Sequence, residues 1–154
     1  MRRIFGQFIG ARGAVGLFLL RLVMGSALIL HGWPKIQHAT SWMGPGAPVP
    51  GALQFLAAFS EFFGGLAFLS GLLTPIAALG VAATMLTALV TVHLKSGHPF
   101  VSPHGPSYES ALGYFAVAML MMLTGPGQLS LDYLLFGRRQ QTAESRTVPA
   151  TSLR

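Results

Sequence analysis

The chain contains no cysteine. That excludes a disulfide framework, a thiolate metal site, an iron–sulfur cluster and a catalytic thiol within it. Charge is also scarce: charged residues are 9% of the 154, against roughly 25% in an ordinary soluble domain. A soluble surface cannot be covered with so few. Acidic residues are scarcer still, with four Asp+Glu against ten Lys+Arg and a formal net charge of +6. The sequence pI near 10.9 raises nucleic acid as a partner. Yet adjacent basic residues occur only at Arg2-Arg3 and Arg138-Arg139, and no basic stripe interleaves with aromatics. No nucleic acid partner is expected. The five histidines show no metal-ligand spacing, so no metal site is expected either.

What the chain does have is apolar length. It is 52% hydrophobic, with a mean hydropathy of +0.59. Four apolar runs cover 14–33, 51–73, 76–94 and 108–124, and a spanning helix needs about 17–25 such residues. A barrel would show ~10-residue alternating segments instead. The fold class expected is therefore all-α: an integral membrane four-helix bundle in the bacterial cell (inner) membrane, with the lipid bilayer as its first partner. The breaks are Gly32-Trp33-Pro34, the Pro/Gly loop 43–51, Gly71 with Thr74-Pro75, the Pro-rich loop 97–107 and Gly125-Pro126-Gly127. Thr74 reads as an N-cap with Pro75 at the first helical position. Ser130 reads as the cap of a short amphipathic turn at 131–136.

Residues 1–13 read as a basic segment, 14–136 as the membrane domain and 137–154 as a polar, disordered tail. Seven basic residues lie in the two terminal segments, against Lys35 and Lys95 in the loops. This places both termini in the cytoplasm and the long loops outside. Arg21 interrupts the first run, and no small-residue cleavage site follows it, so that helix reads as retained rather than as a signal peptide.

Function must reside in the few polar residues inside these runs. Arg21 lies twelve residues from Trp33, or ~18 Å, and Glu61 lies ten from Gly51, or ~15 Å. Matched depths on antiparallel neighbours predict an Arg21–Glu61 ion pair, because a charge in lipid finds a partner. Such a pair either fixes helix register or forms part of a proton or quinone-headgroup site. A second group gathers near the outer surface: His31, His93, Tyr108 and Glu109, with Trp33 and Lys35 close by. Trp33 and Tyr108 have a plain reading as interfacial aromatics, Lys35 as a snorkelling cation and Glu109 as a first-turn acid favoured by the helix dipole. The two histidines near a carboxylate could instead relay protons. Gly80, Thr84 and Ala88 form a small-residue stripe that lets helices approach. Thr84, Thr87 and Thr91 share one face.

Taken in order, Arg21, His31-Gly32-Trp33 with Lys35, Glu61, Gly64-Gly65, Gly71 with Leu73-Thr74-Pro75, His93, Tyr108-Glu109 and Gly125-Pro126-Gly127 with Leu129-Ser130-Leu131-Asp132 resemble the DoxX family of small four-helix membrane proteins. The family is named for subunits associated with thiosulfate:quinone oxidoreductase, and many members are described as oxidoreductases. The resemblance implies a membrane subunit of a redox, quinone-linked complex. Lacking cysteine, this chain would leave sulfur chemistry to a redox partner subunit. On that reading the catalytic candidates are His31, Glu61, His93 and Glu109, and the substrate-binding candidates are Arg21, Trp33, Lys35 and Tyr108. The cofactor stays open, with quinone the leading candidate and haem b behind it. The alternatives are a small haem b protein with His31 and His93 as axial ligands, or a non-enzymatic scaffold or permeation protein, which could be a homo-oligomer.

Overall fold

A computed structural model describes residues 11–137. Among them the chain is all-helical, without strands. Helix α1 runs Ala11–Gln37, α2 Gly51–Ser70, α3 Thr74–Ala88 and α4 Glu109–Thr124. A π-helical segment, Leu89–Leu94, prolongs α3, and a π-helical turn, Tyr133–Gly137, follows α4. Three spans are long and apolar enough to cross a membrane: Arg12–Gln37, Gly51–Ser70 and Thr74–Leu94. The fourth apolar helix has 16 residues, ~24 Å long against a hydrocarbon core of ~30 Å. The expectations for a basic segment at 1–13 and a disordered tail at 137–154 fall almost wholly outside the described residues, as do the terminal arginines other than Arg12.

Consecutive helices pack side by side: α1 on α2, α2 on α3, α3 on α4. Small side chains fill much of the core, with Ala58, Ala78, Ala118 and Val81 fully buried beside a few large ones, Leu28, Phe68 and Met121. Most large ones point outward, such as Leu30 at 74% and Leu123 at 72% exposure. This inversion of a soluble protein is what lipid permits, since acyl chains solvate leucine as well as a core does. The closest approach is between α1 and α2. A Cβ on Gly65 would lie 2.7 Å from the Gly25 carbonyl, and one on Gly25 would lie 2.9 Å from the Gly65 carbonyl. A Cβ on Gly32 would lie 2.6 Å from the Phe62 nitrogen.

The first helix does not stop at Gly32-Trp33-Pro34 but continues through Pro34 to Gln37. Proline costs a helix one N–H donor, yet its fixed φ is helical, and membrane helices tolerate it. It follows that α1 and α2 meet further along than a helix ending at Trp33 would allow. A Cβ on Gly51 would touch the Thr40 carbonyl, seven residues beyond Trp33.

The two ends of the assembly differ. At one end lie the long loops, 38–50 and 95–108. The other, the turn end, is held by a polar knot. Arg21, 1% exposed, donates from Nη1 to the Pro126 carbonyl at 2.8 Å and from Nη2 to the Leu129 carbonyl at 2.6 Å. The Asp132 carboxylate, fully buried, accepts from the Leu73 amide at 2.7 Å and the Thr74 amide at 2.9 Å. The Asp132 amide donates to the Gly71 carbonyl. Gly71 must be glycine, because a Cβ there would lie 2.5 Å from Arg21 Nη1 and from Ser130 Cβ. Leu73 takes the left-handed conformation, φ +51°, which costs a leucine roughly 1 kcal/mol and which the Asp132 bond holds.

Thr74 is thus not the N-cap. It is the first residue of α3, no side chain of its own turn caps that helix, and its buried hydroxyl has no partner among the described residues. The cap comes from Asp132, 58 residues away. The expected Ser130 cap is present: its hydroxyl accepts from the Tyr133 amide at 3.1 Å and donates to the Gly127 carbonyl.

Replacing Asp132 by Ala should strand two buried amides and loosen the turn end. The expected loss is about 2–3 kcal/mol, read from detergent-induced unfolding in mixed micelles. Asp132→Asn, which keeps one acceptor oxygen, should lose less.

Candidate functional site

The Arg21–Glu61 pair does not form. Gly71 is level with Arg21 and Phe62 with Gly32. Arg21 therefore sits about eleven residues, ~17 Å, closer to the turn end than Glu61. The matched depths came from measuring α1 from Trp33, whereas α2 begins beside Thr40. Arg21 belongs to the knot of carbonyls and Asp132, and Glu61 has a different partner. Hence Arg21 and Glu61 do not together form a proton or quinone-headgroup site.

That partner is Lys35. Its ammonium sits 2.6 Å from both Glu61 carboxylate oxygens. Lys35 is a turn beyond the level of Glu61, and helix side chains lean toward the N-terminus, so the long stem reaches back. The side chains are 24% and 5% exposed. The ammonium also lies over the Trp42 ring, 4.7 Å from its centroid. Trp42 is itself fixed, because its indole N–H donates to the Gln54 carbonyl at 3.0 Å. Gln54, 3% exposed, ties the loop to α2 by accepting from the Met43 amide and donating to the Val49 carbonyl. Gln54 and Glu61 are seven residues apart and so share a helix face.

These groups border a cleft of about 350 Å³ between α2 and α3. On the α3 side it is lined by Gly80, Thr84, Thr87, Ala88 and Thr91. The small-residue stripe thus borders an open space as well as a contact. The Thr87 and Thr91 hydroxyls donate to carbonyls one turn back, which leaves their lone pairs as acceptors. The cleft is mostly apolar, with this ion pair as its only charged groups and the threonines along its α3 side. An ammonium has three donors, of which the carboxylate takes two. The site can therefore offer a hydrogen bond to a neutral acceptor while carrying no net charge.

The other candidates lie elsewhere. His31 is exposed and sets its ring edge against Tyr114 of α4, with centroids 6.0 Å apart. Tyr114 is within electrostatic range of Glu61. His93 pairs with His98, Nδ1 to Nδ1 at 3.1 Å. The two proposed haem ligands thus engage different partners. Trp33 packs on Phe62 at 5.7 Å, and Tyr108 on Phe100 at 5.4 Å. Glu109 is exposed in the first turn of α4. Among the described residues, no three His, Cys, Asp or Glu side chains gather as a metal site would need.

Sequence reasoning missed Trp42 and Gln54, and it placed Asp132 in the family pattern without a role. The one available signal for Gln54 was an amide inside an apolar run, seven residues before Glu61.

An all-helical, mostly apolar chain with its charges paired inside belongs among multi-pass membrane proteins. Comparison with known proteins gives the family: the DoxX model matches residues 16–94, which include α1 from Gly16 onward, α2, α3 and both members of the Lys35–Glu61 pair. The chain belongs to the DoxX family. It is 36% identical over 124 residues to "Inner membrane protein YqjF" of Escherichia coli (strain K12), covering 79% of this chain and 92% of that protein. It is 30% identical over 124 residues to "Putative oxidoreductase CatD" of Bacillus subtilis (strain 168), covering 79% and 88%. No solved structure matches it significantly. The chain is thus a multi-pass protein of the cell (inner) membrane.

Removing one member of the pair leaves the other charge in an apolar wall. Lys35→Met or Glu61→Leu alone should cost about 1–3 kcal/mol, below the 3–5 of a fully buried pair because Lys35 is partly exposed. The double variant should recover most of that loss, as a double-mutant cycle on unfolding free energy would read directly.

Proposed function

We propose that the chain is the membrane subunit of a quinone-linked redox complex and that it binds the quinone ring in the α2–α3 cleft, against Lys35 and Glu61. On this reading it crosses the membrane four times, as a bundle with both termini in the cytoplasm. The observation that carries the proposal is a neutralised charge pair in a mostly apolar cleft, ~15 Å along α2 from its start. A quinone ring is flat, neutral and edged by carbonyl acceptors, which suits one free ammonium proton beside apolar walls. The name of the Bacillus subtilis relative points the same way.

The chemistry divides between two proteins. The chain has no cysteine, so a partner subunit oxidises its own substrate and delivers two electrons. A quinone bound there would supply a two-electron, two-proton acceptor. Lys35 donates a hydrogen bond to one ring oxygen and stabilises the charge that builds there as electrons arrive. It can then pass on that proton and recover another from the loop end. Glu61 holds the ammonium in place.

The test is quinone binding to purified protein in nanodiscs. Lys35→Met and Glu61→Gln should each weaken binding about tenfold or more, or at least 1.4 kcal/mol. The swap Lys35→Glu with Glu61→Lys should not restore it, because the donor would then leave from the opposite wall. Unchanged affinity in variants that insert and fold normally would refute the reading and favour a scaffold whose ion pair only holds helices together.

A further inference from the structure

A second hollow lies between the same two helices, toward the turn end. It measures about 480 Å³, and Phe63, Leu66, Ala67, Ile76 and Ala77 are among its walls. Ser60 and Gly80 border both this groove and the cleft, so the two spaces meet at one saddle. The saddle is low because position 80 lacks a side chain, and a Cβ there would lie 3.1 Å from the Ser60 hydroxyl. Below it, Gly64, Ala67 and Ala77 hollow the groove, while Phe59 and Phe63, with centroids 4.5 Å apart, form one side. No charged residue lines it. Its other serine, Ser70, already donates to the Leu66 carbonyl at 2.9 Å. From Ser60 to Ser70 is ten residues, ~15 Å of path along α2.

We infer that the groove holds the isoprenoid tail of the quinone whose ring occupies the cleft, so that one molecule lies along the α2–α3 seam from Lys35–Glu61 to the turn end. This rests on the reading above and adds the tail's path to it. The occupant is chosen by polarity and depth. The combined space is polar at one end only, which fits a molecule with a single head and a long apolar chain. The head position is ~15 Å along α2 from its start, deeper than a phospholipid headgroup sits, and its charges already cancel. A phosphate would find no spare positive charge there, whereas a neutral ring needs none. Because lipid also solvates a tail, the groove adds close packing rather than a hydrophobic gain. It therefore aligns the tail more than it tightens binding.

Photolabelling tests the inference on the full chain in phosphatidylethanolamine/phosphatidylglycerol nanodiscs. One isoprenoid quinone analogue carries an azide on the ring, a second carries a diazirine along the tail, and a third probe is a phospholipid with a diazirine in its acyl chain. The expected result is ring label in the cleft, at Leu53 or Ala57, and tail label in the groove, at Phe63, Leu66 or Ile76. Excess unlabelled quinone should displace both. Ala77→Phe should expel the tail label from the groove and leave the ring label in place. Ala67→Phe should do the same from the opposite wall, and it decides the matter if the first variant does not insert. Ring label in the cleft with tail label spread over the lipid-facing residues Leu19 and Val23 would overturn the tail path alone. So would groove labelling by the phospholipid that quinone fails to displace. Absence of ring label from the cleft of a folded protein would remove the proposed function, and the tail path with it.

Discussion

Lipid offers no hydrogen bonds, and this fixes where each polar group of the chain can go. Arg21 is 1% exposed and Glu61 4%, and neither can remain unpartnered at such depth without a cost of several kcal/mol. The protein meets this demand at two separate levels. At the turn end a guanidinium donates to two main-chain carbonyls near a carboxylate, with its Nε lacking a partner among the described residues. Toward the loop end a carboxylate is satisfied by an ammonium. The two solutions differ in kind. The first uses planar, fixed donors to join distant segments, as arginine is suited to do. The second uses a flexible stem whose head borders an open cleft.

The turn end shows how sequence-distant residues come to act as one unit. Gly71 turns the chain between α2 and α3, and the lack of a Cβ there makes room for the guanidinium. The segment after α4 then folds back, and Asp132 caps α3 from outside. Each piece depends on the others: without the glycine the arginine could not enter, and without the aspartate the left-handed Leu73 would be held only by its own turn. The polar residues of this end bind one another and the main chain, so they are explained by architecture.

Much of this could be read from the sequence. The apolar runs give the helices because length and hydropathy alone decide insertion, and the exclusion of thiol chemistry follows from composition. Register could not be read. It depends on Gly25 meeting Gly65 and on α1 outlasting Pro34, and nothing in one chain's hydropathy marks where two helices touch. An error of seven residues in that origin was enough to pair Arg21 with the wrong acid. Lys35 was assigned to the right end but to the membrane surface, because its ordinary behaviour is to snorkel outward, whereas a carboxylate one turn below draws it inward. Asp132 stood in the family pattern, but nothing marked it as a cap 58 residues from its helix, since an aspartate after a Gly-Pro-Gly turn also suits an exposed loop.

The Lys35–Glu61 pair is the harder feature to explain by architecture. A buried ion pair can serve to set register, yet here register is already set by backbone-to-backbone contact at Gly25–Gly65 and Gly32–Phe62, which no charge is needed to enforce. Apolar residues of similar volume would serve packing at least as well, because burying two ions costs desolvation that their attraction only partly offsets. The pair is also open on one side, facing threonines and apolar side chains instead of being sealed by packing. A charge pair that adds little to the fold, and that borders the cleft where a neutral polar ring would fit, has its simplest physical account in what the cleft binds.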